Sequence, residues 1–138
     1  MKHLSVLTAF LTLFAATSTA QCRTFTKKNC LPILDGYIQN ENYNSAVLIP
    51  GDEAELDLTF LANMDYRVAI CSHPVLGEVE FDVLDEQNVR IWSNSDGSDH
   101  LDFRMAGAQR LRFRVKVPET DAAILHEGCV SILLGSKE

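Results

Sequence analysis

Basic residues are scarce in this sequence, and long apolar runs are nearly absent from it. Its 138 residues include 12 Lys and Arg against 19 Asp and Glu, for a formal net charge of −7. Nucleic-acid binding is therefore not expected, because contacts with phosphate groups depend on Lys and Arg. The one long apolar run, residues 4–16, is shorter than the roughly 20 residues that a helix needs to cross a bilayer. The sequence thus predicts no membrane span.

Catalytic motifs are also missing. The chain has no G-x-S-x-G nucleophile elbow and no pair of histidines at the i, i+4 spacing of a zinc-binding helix. His73, His100 and His126 fall in predicted loops, where a solvated side chain is the ordinary outcome. Carboxylates are frequent, but they alternate along strands, as on a solvated face, rather than forming an acid–base pair. We therefore expect no enzyme activity and no cofactor.

The N-terminus has the three parts of a cleavable secretory signal peptide. Residues 1–3 carry positive charge, residues 4–16 are apolar and residues 17–20 are small. Cys22 stands where the lipid-attachment cysteine of bacterial lipoproteins would stand, but that family has a small residue in place of Gln21. We therefore expect cleavage after residue 20 and a secreted chain, periplasmic or extracellular, with a formal charge of −8.

Every cysteine lies in the predicted exported part of the chain. An even number of cysteines in an exported protein predicts up to two disulfides, and oxidised cysteines offer no thiolate for catalysis. The four are Cys22, Cys30, Cys71 and Cys129.

From residue 46 onward, apolar and polar residues alternate with a period of two. This pattern is typical of antiparallel strands with one face in the core and one in water. The predicted inward residues are Ala54, Leu56, Leu58, Phe60, Tyr66, Val68, Ile70, Val79, Phe81, Val83, Leu111, Phe113, Val115, Val117, Val130, Ile132 and Leu134. Short strands separated by turn-forming residues predict an all-β fold, an antiparallel β-sandwich that is jelly-roll-like.

Residues 21–45 do not follow this alternation. Pro32 suits a first helical turn, and the apolar residues after it recur at helical spacing, which predicts a short helical segment. These apolar residues are Ile33, Leu34, Tyr37 and Ile38. The predicted organisation is a signal peptide over 1–20, a disulfide-tied segment over 21–45 and a β-sandwich domain over 46–138.

The outward residues of a given strand tend to carry charge of a single sign. Glu53, Glu55 and Asp57 form an acidic row, and a second row is basic. The basic row comprises Arg110, Arg112, Arg114 and Lys116. Opposite charges on neighbouring strands stabilise the pair by about 0.2–1 kcal/mol, so we expect the basic strand to lie beside an acidic one.

The positions of the cysteines at strand ends, and the faces to which their side chains point, bear on which cysteines form disulfides with each other. Cys71 closes one predicted strand, Cys129 opens the last, and both have outward parity. If the two strands are antiparallel neighbours, Cys71–Cys129 is favoured, with Cys22–Cys30 as a local link. In the alternative, the N-terminal segment packs on that outer face and Cys30 bonds to Cys71 or Cys129. Spacing alone does not choose among the connectivities.

Five stretches resemble small secreted proteins of Bacteroidota with uncharacterised function. They are CLPILDGY (30–37), GDEAELDLTF (51–60), DYRVAIC (65–71), LGEVEFDVLD (76–85) and GCVSILLG (128–135). More remotely, the strand order is similar to pre-peptidase C-terminal and GOLD-type β-sandwich domains. The resemblance implies a sandwich that serves as an accessory or interaction module, and it supplies no catalytic residue.

Two further patterns are candidate ligand sites. Asn94, Asp96, Asp99 and Asp102 could supply oxygen ligands to calcium on a flexible loop, although Asp96-Gly97 is equally a hairpin signal. The basic row could bind an anionic glycan or phosphate, although pairing with acidic strands is the favoured interpretation. Exposed aromatics could stack on sugars, and the candidates are Trp92, Tyr37 and Tyr43.

The predicted function is a secreted, noncatalytic binding or interaction module for an unidentified protein or glycan. The alternatives are a small secreted hydrolase, whose site would form only in three dimensions, and a structural envelope component.

Overall fold

The computed structural model describes residues 17–40 and 43–138, with side chains from residue 22 onward. It begins with helix α1 (Thr17–Asn29) and a 3₁₀ turn (Leu31–Leu34), followed by nine strands and a second 3₁₀ turn (Pro74–Leu76). The strands are β1 (Ile38–Gln39), β2 (Asn44–Leu48), β3 (Glu53–Phe60), β4 (Asp65–Ser72), β5 (Glu80–Leu84), β6 (Arg90–Ser93), β7 (His100–Arg104), β8 (Gln109–Lys116) and β9 (Gly128–Lys137).

The strands form two open antiparallel sheets that pack face to face. Sheet 1 has the order β1-β9-β4-β7, with β2 also paired to β9, and sheet 2 has the order β3-β8-β5-β6. Six connections cross from one sheet to the other: β2 to β3, β3 to β4, β4 to β5, β6 to β7, β7 to β8 and β8 to β9. The predicted all-β antiparallel sandwich is confirmed.

The core between the sheets is built from the inward residues of the alternating strands. Phe60, fully buried, makes edge-on ring contacts with Tyr66 and Phe103, each at a centroid distance of 5.0 Å. The buried members are Leu48, Phe60, Tyr66, Val68, Ile70, Leu76, Val79, Phe81, Val83, Leu111, Phe113, Val115, Val117, Val130, Ile132 and Leu134. Ala54, Leu56 and Leu58 are only partly buried, because they lie on the edge strand β3.

Sheet 1 also has a second, smaller core on its outer face. The N-terminal segment lies there, and Cys30, Leu34, Ala69 and Leu133 are buried between it and the sheet. The approach is close: a Cβ at Gly135 would lie 2.8 Å from Cβ of Tyr37. Ala69 and Leu133 have outward parity, so this face of sheet 1 is not the solvated face that alternation alone predicts.

Helix α1 was not predicted, and it explains why the favoured disulfide pairing is wrong. The disulfides are Cys22–Cys129 and Cys30–Cys71, with Cα–Cα distances of 5.4 and 5.7 Å. A helix places residues eight apart about 12 Å from each other, beyond the roughly 7 Å limit for a disulfide. Cys71 lies opposite Ser131, so Cys129 is displaced by two residues along the strand. The alternative, with Cys30 bonded to Cys71, is confirmed.

The rest of the N-terminal segment agrees in part with expectation. The 3₁₀ turn carries Pro32 in its first turn, as predicted, but it ends at Leu34. Most of the predicted signal peptide lies outside the described residues, and its last four residues form the start of α1. Cleavage after residue 20 stays a prediction. In the part of the chain that the structure describes, no helix is both long and apolar enough to cross a membrane.

Candidate functional site

The basic row lies on the outer face of sheet 2, beside the acidic row of β3. Arg112 faces Asp57, Arg114 faces Glu55 and Lys116 faces Glu53. Nε of Arg112 donates a 3.0 Å hydrogen bond to Asp57, and it lies 3.6 Å from Glu55. This contact lowers the pKa of Asp57 and raises the pKa of Arg112. The predicted pairing of a basic strand with an acidic one is confirmed.

Carboxylates flank the basic row on its other side as well. In β5, Glu80 faces Lys116 and Asp82 faces Arg114. A shallow groove of about 460 Å³ runs beside Arg110 and Arg112, but Asp57, Asp85 and Glu86 also line it. An anion in this groove would therefore meet carboxylates together with the guanidinium groups. Anion or glycan binding by the row of Arg110, Arg112, Arg114 and Lys116 stays a prediction.

The aromatic candidates have partners within the fold. Trp92 pairs with Val83 across β5 and β6 and packs, half-buried, against the core. Tyr37 has Arg67 and Lys137 at 4.7 and 4.5 Å from its ring centre. Tyr43 packs against the second core. All three rings are partly buried, and glycan binding stays a prediction.

The calcium candidates lie around the connection from β6 to β7, with different partners. Both ends of the Asn94 side chain bond to the β5 segment, at Phe81 and Val79. Asp96 accepts a hydrogen bond from the backbone of Ser98, which lowers the pKa of Asp96. Asp99 contacts His100. Among the described residues, no three His, Cys, Asp or Glu side chains are grouped to hold a metal.

Asp102, the fourth calcium candidate, is bound to an arginine. Nε and a terminal nitrogen of Arg67 each donate a 2.7 Å hydrogen bond to the Asp102 carboxylate, which lowers the pKa of Asp102. Calcium binding therefore stays a prediction. The predicted hairpin at Asp96-Gly97 is wrong: Gly97 does form a tight turn at φ +81°, but β6 and β7 belong to different sheets.

The buried polar residues in the described part of the chain are Thr26 and Ser131. Each buried side-chain nitrogen or oxygen there has a hydrogen-bond partner. The most enclosed polar group is a hydroxyl cluster of Thr26, Ser45 and Ser131, with oxygens 2.6 to 3.1 Å apart. It joins α1 to β2 and β9, so its geometry is that of a structural link.

Four connecting segments come together at one end of the sandwich, and sequence reasoning did not single out this surface. We call segments 49–52, 73–79, 94–99 and 117–127 the loop end. Backbone hydrogen bonds of 2.9 and 3.1 Å join the first segment to Val117. A Cβ at Gly128 would lie 2.9 Å from Cγ of Leu76. The C-terminal end of segment 117–127 is therefore in close contact with segment 73–79. The backbone of Asn94 bonds to Phe81 at the start of β5.

The loop end presents apolar side chains to solvent. Residues 119–127 are all exposed, and Ile124 and Leu125 are 72% and 50% exposed. Val75 and Ile49 on neighbouring segments are also exposed. The base of the long segment is fixed, because Cys129, one residue beyond Gly128, is bonded to Cys22. The result is an apolar tip on a constrained base.

Two solved structures resemble the fold. One is the periplasmic lysozyme inhibitor PliG of Aeromonas hydrophila, an inhibitor of g-type lysozyme, with a TM-score of 0.53 and 14% identity over 74% of this chain and 89% of that one. At such identity the likeness concerns the fold alone. A de novo designed double-stranded β-helix matches with a TM-score of 0.33 and 14% identity, over 70% of this chain and all of that one, which is too low for inference. No family model and no curated protein matches the chain.

The likeness to the lysozyme inhibitor agrees with the predicted fold class, and it does not identify a ligand. The similar structure is β-rich and is an inhibitor, not an enzyme. The two disulfides are typical of exported proteins. The resemblance to Bacteroidota secreted proteins and to pre-peptidase C-terminal domains stays a prediction.

Proposed function

We propose that this protein is an exported, noncatalytic module that binds another protein through its loop end. The exposed apolar tip at Ile124 and Leu125, held on a disulfide-anchored base, is the observation that carries the proposal. Apolar side chains that project from a constrained loop can fill a pocket on a partner at low conformational cost.

The fold supports this assignment by analogy. Loops at one end of a β-sandwich are a common place for recognition, because the sheets hold them rigidly. The similar solved structure is a lysozyme inhibitor, a protein that acts by binding another protein. A g-type lysozyme is therefore the first partner to test. A hydrolase has less support, because the buried polar residues that the structure describes, Thr26 and Ser131, join α1 to β9 as a structural link.

The test compares two matched double variants of the exported protein, purified after expression of the full chain. Ile124→Ser/Leu125→Ser removes the apolar tip, and Val89→Ser/Ile91→Ser removes two similarly exposed residues from the β5–β6 region at the other end of sheet 2. The measurements are affinity for a g-type lysozyme, inhibition of its lytic activity, and retention of proteins from the native secreted fraction.

We expect the tip variant to lose partner affinity by about 30-fold, equivalent to about 2 kcal/mol, and the control variant to retain it. If the tip variant and the control variant bind the same partner with equal affinity, the binding surface lies outside the apolar tip. Failure of every protein to bind, or turnover of a substrate by the protein itself, would contradict the proposal.

A further inference from the structure

The negative charge of this protein is concentrated at the loop end. Its four segments hold seven of the 19 acidic residues and not one of the 12 Lys and Arg. The seven are Asp52, Glu78, Asp96, Asp99, Glu119, Asp121 and Glu127. The predicted exported chain has a formal charge of −8, so the remainder of it is nearly neutral.

Six carboxylates elsewhere in the fold have cationic partners that these seven lack. Among the described residues, Lys and Arg form ion pairs with Glu53, Glu55, Asp57, Asp65, Asp82 and Asp102, and with none of the seven at the loop end. Asp52 accepts a hydrogen bond from its own turn, and Asp99 contacts His100. Among the described residues, the carboxylates of the loop end therefore have no ion pair with Lys or Arg.

Three of these carboxylates flank the apolar tip along the chain. Glu119 and Asp121 precede Ile124 and Leu125 in the same exposed segment, and Glu127 follows them. An apolar centre within a charged periphery is the usual anatomy of a protein interface. The periphery steers encounter with an oppositely charged surface, and the centre contributes most of the affinity.

We infer that the partner bound by the loop end is a cationic protein with an apolar pocket bordered by Lys or Arg. This inference rests on the proposed function and specifies the chemistry of its partner. An acidic partner would face seven carboxylates that have no Lys or Arg ion pair, and like charges brought together across an interface oppose binding.

The test uses two variants with equal net charge. Glu78→Gln/Glu119→Gln/Asp121→Asn/Glu127→Gln neutralises four carboxylates at the loop end. Asp35→Asn/Asp85→Asn/Glu86→Gln/Glu138→Gln neutralises four elsewhere, so both variants gain four charge units. The probes are a purified g-type lysozyme with net positive charge and the same lysozyme with acetylated lysines, which removes their charge.

At 50 mM salt we expect the native probe to bind the wild type and the second variant alike, and the loop-end variant about tenfold more weakly. Binding of the wild type should weaken steeply as salt rises to 300 mM, because exposed charges are screened, and the acetylated probe should bind weakly throughout. Equal weakening of both variants, equal binding of the acetylated probe, or no binding of the native probe would overturn the inference.

The tip variant separates this inference from the proposed function. If Ile124→Ser/Leu125→Ser loses the partner while the loop-end charge variant retains it, the protein-binding function stands and the cationic partner is wrong. If neither variant changes binding of the probe, both are wrong.

Discussion

The two outer faces of the sandwich begin from the same strand pattern and end in different environments. On sheet 2 the charged outward residues of β3, β8 and β5 are half-buried or exposed, and they face one another across strands. On sheet 1 the outward residues Ala69, Ser131 and Leu133 are fully buried beneath the N-terminal segment. Alternation with a period of two therefore identifies the shared core, but it does not say whether the second face meets water.

The composition of the outward positions distinguishes the two faces. Long charged side chains occupy them on β8, whereas Ser131, Leu133 and Gly135 occupy them on β9. Small and apolar outward residues allow another element to approach, and two disulfides hold that element in place. The outer face of sheet 1 is covered through specific contacts. The outer face of sheet 2 carries balanced charge and stays in contact with solvent.

Loss of the disulfides has the largest expected effect and acts on the covered face alone. Removing either Cys22–Cys129 or Cys30–Cys71 by paired substitution to alanine should lower the free energy of unfolding by about 2–5 kcal/mol, because each bond closes a long loop in the unfolded chain. Denaturation in urea measures this loss.

Peptide mapping without reduction is the companion measurement. It should recover peptides that join Cys22 to Cys129 and Cys30 to Cys71. A peptide that joins Cys71 to Cys129 would contradict the conclusion that disulfides hold the N-terminal segment on the outer face of sheet 1.

Truncation of matched outward residues gives the next largest difference. Leu133→Ala should cost about 2–5 kcal/mol, because it leaves a cavity in the second core. Arg114→Ala, at an outward position of β8 that solvent reaches, should change stability by no more than about 0.5 kcal/mol. Thermal unfolding of both variants compares them directly, and equal losses would show that the two faces do not differ.

The hydroxyl cluster tests how α1 is held. Ser131→Ala removes a buried group that lies 2.6 Å from Oγ1 of Thr26 and 2.8 Å from Oγ of Ser45. We expect a loss of about 1–3 kcal/mol, since Thr26 is fully buried and would lose a partner. Ser93→Ala, half-buried on sheet 2, is the control and should have little effect. An unchanged unfolding midpoint for Ser131→Ala would count against this role.

Acid sensitivity is the smallest expected effect. Arginine contacts lower the pKa of Asp57 and of Asp102 from 3.8. Their contribution to stability is therefore complete above about pH 4 and is lost as the pH falls through the lowered values. Asp102→Asn should cost about 0.2–1 kcal/mol at pH 7, because the contact is bidentate but partly exposed.

Urea titrations at pH 7 and at pH 2 measure this effect. Asp57→Asn should cost less than Asp102→Asn, because Arg112 donates one hydrogen bond to Asp57, whereas Arg67 donates two to Asp102. The difference between each variant and the wild type should shrink as the pH falls from 7 to 2, and a difference that does not shrink would rule out the carboxylate as its source.

Much of the fold could be predicted from the sequence, because each strand carries its own signal. The inward residues of β4, β5, β8 and β9 are buried as expected, and the facing of Arg112 and Asp57 follows from their rows of opposite charge. Helix α1 escaped prediction because its polar sequence has little periodic hydrophobicity. The signal was present in Cys22, Thr26 and Cys30, which are spaced four residues apart and share one buried face.

The loop end could not be predicted in the same way. Its seven carboxylates come from four segments that are far apart in sequence, and only the sheet order brings those segments to one end. Local spacing made Asn94, Asp96, Asp99 and Asp102 a candidate calcium site, whereas the fold directs these side chains to different partners.

Hydrogen exchange of the exported protein, with and without the cationic g-type lysozyme, tests the central claim most directly. If the loop end is the binding surface, amides in segments 49–52, 73–79 and 117–127 should gain protection, while β8 should not change. Protection centred on β8, with the loop end unchanged, would assign binding to the outer face of sheet 2 and contradict this account.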